Sequence, residues 1–483
     1  MSIRLLIMKK ILFLIFILLI NSIFIFSVSY ITTAESISWN GAYTSISDGF
    51  ESMLYNPAGL HYTKTRYGFN IFGSYGMRFY SNSMTSDQVI RMLLVMQAGG
   101  NLSDSGVLDK ILYFMPEAGL TMGAEISAMN VMTYFKLDNF TIGISFIPKS
   151  SAYTTIDKGL FNTLFNEIDL TKTTNYKSSA VIMQYLDFAV TLSKRAAFLE
   201  KVIPVEGVYV GLTGHLYFPT LFVKSNSTIK MGPGDPDPST GIIDNYKLNT
   251  KGEITVGSNG LMVGLLKNVP ILNELGHAIL DHAGSPAFGI GFDAGFLIEF
   301  NRFVRMGFGI TDLGLIVFPV TAKITIDMDT EISLDSIDTY RDMYLDNLVG
   351  ELVENDGSWG GTEIQMPPTS IRLGVAFTPF KNEILLWASD ISVTDFNNLL
   401  NNGYPNFNIS TGIEFKPGYQ WFAAPIRLAV SYNTQSNFPT FSGGIGFYLG
   451  PVEMEFGLKG LEFLISGWGA RDVCFGFDFK FEF

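Results

Sequence analysis

The chain is written in alternation. Its last twelve residues place Val473, Phe475, Phe477, Phe479, Phe481 and Phe483 on one phase and Asp472, Cys474, Gly476, Asp478, Lys480 and Glu482 on the other. Side chains point to opposite faces of a strand with period two, so this segment is a strand between two different solvents. Core and water would satisfy it, as would lipid and lumen. The same alternation recurs upstream. Phe288, Ile290, Phe292, Ala294, Phe296, Ile298 and Phe300 oppose Gly289, Gly291, Asp293, Gly295 and Glu299; Ile426, Leu428, Val430 and Tyr432 oppose Arg427, Ala429, Ser431 and Asn433. Arg372, Glu414, Arg427 and Asp478 all fall on the polar phase. In a membrane barrel they would face the lumen, since an Arg on the lipid face near midplane costs about 2–4 kcal/mol.

Fourteen such strands can be placed, near 65–80, 119–136, 139–150, 178–193, 206–222, 286–300, 303–314, 369–380, 384–394, 407–417, 425–434, 441–449, 452–459 and 472–483. The number is even, as in single-chain bacterial barrels. Connections after even-numbered strands are short, as at Leu137-Asp138, Asn301-Arg302 and Gly450-Pro451. Long connections follow odd-numbered strands, at 81–118, 151–177, 223–285 and 315–368. Short turns on one side and long external loops on the other are the habit of outer-membrane barrels. The expected fold is therefore all-β, a transmembrane antiparallel β-barrel of about 14 strands spanning 65–483. Segments 248–258 and 320–333 are also strand-like. They either lengthen hairpins above the membrane or raise the count to sixteen.

The start of the chain points to export. Arg4, Lys9 and Lys10 precede an apolar run from Ile11 to Phe26, and Ser27-Val28-Ser29 or Thr32-Thr33-Ala34 offers a cleavage site. Residues 1–34 are expected to be a signal peptide, cut near 29 or 34. Composition fits a wall that faces lipid: 41 Phe, 21 Tyr and 48 Gly against 16% charged residues. A net charge of −13 speaks against nucleic acid and against docking on anionic lipid. Cys474 is the single cysteine, so no internal disulfide forms, and it serves as a small filler on the polar phase.

The long connections carry helical patterns. Thr85 or Ser86 can cap a helix with Val89, Met92, Leu93 and Met96 on its apolar side. Segments 262–284, with Leu265 and Leu266, and 335–355 also have helical spacing. These helices either pack on one another as a cap or present an apolar surface at the barrel mouth that receives a ligand. Of His277, Asp281 and His282, helical spacing puts only His277 and Asp281 on one face, without a third metal ligand, and Gly232 to Pro238 lacks regular calcium spacing. No nucleophile elbow or HExxH motif occurs, so neither enzyme activity nor a cofactor is expected.

Ahead of the first strand stands Gly41-Ala42-Tyr43-Thr44-Ser45-Ile46-Ser47-Asp48, leading to Asn56-Pro57-Ala58-Gly59-Leu60. Pro57 pre-sets the turn, and the Asn56 amide can satisfy nearby backbone groups. This stretch resembles the N-terminal hatch signature of FadL-type outer-membrane transporters, and 307–314 and 368–376 resemble mid-barrel strands of that superfamily. The resemblance implies that residues 35–64 form a hatch (plug) inside the barrel. It also implies localisation in the bacterial outer membrane and passive transport of hydrophobic molecules, with long-chain fatty acids as the expected ligand. A secreted protein is the alternative partner, because the same barrel class includes secretion shuttles; a surface adhesin would be another protein-binding form of the fold. The C-terminal strand ending in Phe483 is expected to engage the barrel-assembly machinery. A general diffusion porin is disfavoured by a plugged lumen and by the expectation of few lumen charges.

Overall fold

The computed structural model describes residues 33–70, 75–97, 106–117, 119–127, 130–165, 173–202, 204–234, 245–258, 287–333, 358–380, 383–396, 405–419, 422–434, 436–464 and 469–483. Positions 1–32 of the expected signal peptide lie outside the described residues, as do the expected helices at 262–284 and 335–355.

Fourteen antiparallel strands close on themselves. They are β1 (Tyr67–Asn70 and Tyr75–Ser81), β2 (Leu120–Ser127 and Val131–Lys136), β3 (Thr141–Ile156), β4 (Thr174–Arg195) and β5 (Gly207–Pro233). Next come β6 (Asn245–Ser258 and Phe288–Asn301), β7 (Val304–Ser333), β8 (Ser358–Gln365 and Ser370–Phe377), β9 (Leu385–Thr394) and β10 (Asn406–Phe415). The last four are β11 (Ile426–Asn433), β12 (Phe438–Leu449), β13 (Val452–Lys459) and β14 (Asp472–Glu482). Each pairs with its sequence neighbours. β14 shuts the barrel by pairing with both segments of β1, Glu482 opposite Gly68 and Phe477 opposite Tyr75. Pairing the first strand with the last removes the open sheet edge that lipid cannot tolerate.

The connections at 223–285 and 315–368 are not loops throughout. β5 runs on to Pro233, and the first segment of β6 pairs with it from Leu221 and with β7 from Thr321 to Ser333. Segments 248–258 and 320–333 therefore lengthen existing strands, and the barrel has fourteen strands rather than sixteen. Runs such as Lys224-Ser225-Asn226-Ser227-Thr228 carry no apolar phase, so the alternation fades while the ladder continues. The connection at 151–177 is shorter than expected for the same reason. Among the described residues the ladder of β6 ends at Ser258 and begins again at Phe288 in the same direction. Among the described residues, 218–220 of β5 and 318–320 of β7 have no ladder partner across this break.

Helices α4 (Ser86–Gln97), α5 (Val107–Phe114) and α6 (Lys158–Phe165) cover the strand tops on the long-connection side. Thr85 and Gln88 form a reciprocal capping box at α4, with Thr85 N donating to Gln88 Oε1 at 2.8 Å and Gln88 N to Thr85 Oγ1 at 3.3 Å. Leu108, Ile111, Met115, Leu120 and Phe161 form a buried cluster there, with Val89 packed against it.

The outer wall carries the apolar phase and the inner wall the polar one. Leu428 is 56% exposed and its neighbour Arg427 only 1%. Leu428→Arg is expected to destabilise the barrel by about 2–4 kcal/mol in lipid. Unfolding in urea from vesicles measures this, and an unchanged midpoint would remove Leu428 from the lipid face.

Candidate functional site

Residues 33–64 lie inside the barrel. They form α1 (Ala34–Ser38), α2 (Gly49–Tyr55) and α3 (Gly59–Tyr62), joined by turns. Thr33 caps α1, accepting from Ser36 N at 3.2 Å. The wall supplies partners for the irregular backbone between the helices. Asp390 accepts from Tyr43 N (3.1 Å) and Thr44 N (2.8 Å), Asp478 accepts from Ala34 N (2.6 Å), and Ser442 Oγ donates to Ser38 O (2.9 Å). The Asn56 side chain does what its motif implied. Its Nδ2 donates to Thr44 O (3.0 Å) and to Phe296 O of β6 (3.2 Å), while Oδ1 accepts from Ala58 N (3.2 Å). Asn56 thus ties two parts of the lumen segment to each other and to the wall. Pro57, Ala58 and Gly59 complete the turn, and Ser193 Oγ donates to Ala58 O at 3.0 Å.

Two rows of glycine receive this segment. Gly211, Gly295 and Gly309 stand opposite one another across β5, β6 and β7. A Cβ on Gly295 would lie 2.2 Å from Asn56 Oδ1, and one on Gly211 would lie 2.2 Å from Pro57 C. Gly444, Gly457 and Gly476 form the second row across β12, β13 and β14. There a Cβ on Gly457 would lie 2.1 Å from Ala34 O. The lumen segment therefore presses its backbone against the wall at both ends.

Beside the second row, two residues along β13 from Gly457, lies a charge network around Glu455. Arg427 Nε is 2.6 Å from Glu414 Oε2, Nη1 is 3.2 Å from Glu455 Oε1, and Nη2 is 2.9 Å from Glu35 Oε1. Arg427 also donates to Tyr448 Oη at 2.8 Å. Lys480 binds Glu51 and lies 3.6 Å from Glu35 and 3.7 Å from Glu455. Glu35 and Glu51 belong to the lumen segment, and the other four charges belong to the wall. Charge-assisted contacts of this kind are strong when buried, and costly if one partner is lost.

A second charged layer lies further along the lumen, where β3 to β7 each contribute one side chain. Lys149 Nζ is 2.9 Å from Asp187 and 2.6 Å from Asp312; His215 Nδ1 is 2.9 Å from Asp187. His215 Nε2 is 2.9 Å from Asp293 Oδ2, at an angle that makes a poor hydrogen bond. Asp312 sits at a bulge with φ of 58°, and its amide donates to Asp293 at 2.6 Å. A cavity of about 30 Å³ separates this layer from Tyr55 and Arg372, room for about one water. Ligand atoms of Asp187, His215 and Asp312 lie within 4.8 Å of one another, but the Lys149 ammonium bonds both carboxylates and already supplies their counter-charge. Beyond this layer come Tyr185, Tyr217, Phe222 and Phe318, a buried aromatic cluster. These two layers overturn the expectation of few lumen charges. Whole-chain composition counts charges scarce, whereas the fold gathers them onto one surface.

A profile described as a family of unknown function, DUF5723, matches residues 57–457. The chain belongs to that family. No curated protein matches it. Among solved structures, this DUF5723 barrel is similar to the toluene transporter TbuX of Ralstonia pickettii, at 10% identity and a TM-score of 0.45, over 94% of this chain and 99% of that one. It is also similar to the Pseudomonas putida toluene transporter TodX (12%, 0.45, over 94% and 99%) and to a Pseudomonas aeruginosa FadL homologue (9%, 0.46, over 95% and 100%).

The motif residues Asn56, Pro57, Ala58 and Gly59 all meet the wall of the DUF5723 barrel or each other. The expected apolar receiving surface is only partly described. Val89 packs into the cap; Met92, Leu93 and Met96 lie on α4, but their side chains fall outside the described residues, as do Leu265 and Leu266 entirely. Glu35, Glu51, Glu455, Lys149, Asp187 and His215 were missed by motif reading. The available signal was a charge on the polar phase of an otherwise apolar strand, as at Leu186-Asp187-Phe188.

Proposed function

We propose that this protein is a passive transporter for hydrophobic molecules in the bacterial outer membrane, with residues 35–64 as its hatch. The observation that carries the reading is the filling of the lumen. Inward residues of β5 run from Gly211 at the hatch, through His215 in the charged layer, to Tyr217 and Phe222 in the aromatic cluster. A water-filled diffusion pore has no use for such a filling. The capping helices leave Ile90, Leu94, Tyr113 and Phe114 exposed, an apolar surface suited to receiving a greasy ligand before it enters. Long-chain fatty acids are the proposed ligand.

The test is uptake. A strain lacking this gene and any paralogue is expected to take up labelled long-chain fatty acid several-fold more slowly than the complemented strain. Equal uptake of fatty acid and of small hydrophobic compounds would overturn the reading.

The extended strands favour a second reading, a barrel that binds a secreted protein. β5, β6 and β7 stand above the apolar belt with exposed ion pairs such as Lys251–Asp327 at 3.1 Å and Lys323–Glu253 at 3.0 Å. A stoichiometric protein recovered with the detergent-solubilised barrel would favour it, and an empty barrel would count against it.

A further inference from the structure

The wall already supplies carboxylates to both of the cations that the lumen segment meets. Arg427 and Lys480 meet Glu414 and Glu455, two cations against two carboxylates, and all four are buried. Docking then brings in Glu35 and Glu51, which approach the same two cations. Nearby groups do not restore the balance. Asp478 of β14 holds the Ala34 amide and adds further negative charge, as does Glu453 of β13. Lys416 lies 4.5 Å from the Tyr448 ring centre, where it faces Glu453 and Asp48 instead. A buried site resists surplus charge, and a carboxylate entering it keeps its proton.

We propose that the lumen segment docks with protons on its own carboxylates, so that alkali releases it from the wall. This rests on the hatch reading and supplies its release mechanism. The sign is fixed by linkage. Burial pushes the Glu35 carboxyl up to about 8 against the pull of Arg427, and pushes Glu51 up against the pull of Lys480. An acid whose pKa is raised in the docked state is held best when protonated. Docking is strongest below the ordinary carboxylate range and weakens as pH climbs through about 8. Trp39, fully buried on the lumen segment, is the built-in probe.

The experiment uses the full barrel in lipid vesicles with Trp359, Trp387, Trp421 and Trp468 each replaced by Phe. Quenching of Trp39 by acrylamide, a neutral probe, is followed from pH 6 to pH 10. The expected result is a reversible, several-fold rise in quenching between pH 7 and pH 9. Glu35→Gln should move the rise to higher pH, and Glu35→Gln with Glu51→Gln should abolish it. Flat quenching at a low level overturns the proton latch while leaving the hatch docked, so the transport reading stands. An unshifted midpoint in the double variant overturns the assignment to these two carboxylates. Full quenching of Trp39 at every pH overturns both the latch and the hatch.

Discussion

Gly295→Val is expected to unseat the lumen segment and raise the ion conductance of the barrel several-fold in planar bilayers. A Cβ at position 295 would meet Asn56 Oδ1 at 2.2 Å and both Ala58 N and Pro57 Cδ at 2.8 Å. These are parts of a tight turn already tied to Phe296 O and Ser193 Oγ, not the free end of a flexible side chain. Overpacking of a filled site costs about 1–3 kcal/mol where neighbours relax. Here the wall is a hydrogen-bonded barrel, so the lumen segment is the partner able to move. Gly214→Val is the matched control. Gly214 points outward on β5, and a Cβ there meets nothing within 4 Å. Low conductance in Gly295→Val, equal to that of Gly214→Val, would show that the turn does not press on the wall.

Arg427→Met is expected to cost about 3–5 kcal/mol of barrel stability at neutral pH, the range for removing one partner of a buried ion pair. The guanidinium is shared by Glu35, Glu414 and Glu455 and bonds Tyr448 as well. Its loss leaves the Glu414 and Glu455 carboxylates in a buried space without their guanidinium. Arg427→Lys keeps the charge but not the fork that serves several acceptors, so an intermediate loss is expected. The measurement is the urea midpoint in vesicles, with Glu414→Gln added to the Arg427→Met background. Partial recovery in the double variant identifies stranded negative charge as the cause. A single variant as stable as the parent would remove Arg427 from the network.

Much of the barrel was legible in the order of residues. In β11 and β14 lipid and lumen ask for opposite side chains at successive positions, so Leu428 and Arg427, or Phe479 and Lys480, declare their faces without a partner in view. The even strand count and the short turns at 137–138, 301–302 and 450–451 followed from the same rule. It failed above the apolar belt. Residues 224–228 are polar on both phases and look like loop, though the ladder runs on through them, whereas 320–333 keeps its alternation and its strand was legible. The break in β6 was invisible because strand direction on either side of an insertion is a property of pairing, not of sequence.

Although the choice of fourteen strands over sixteen waited on pairing, the sequence by itself determined the alternation, the antiparallel barrel with an even strand count, the inward orientation of Arg372, Glu414, Arg427 and Asp478, and the turn at Asn56-Pro57-Ala58-Gly59. Each of these depends on residues that are neighbours in the chain, where period two and local hydrogen bonding act directly. Tertiary structure alone decided what those inward residues do. Glu35 meets Arg427, Glu51 meets Lys480, and Gly211, Gly295 and Gly309 line up under one turn only once cross-strand register is set. Register is fixed by closing the whole ring of strands, so residues nearly four hundred positions apart become contacts through a constraint that no local pattern carries.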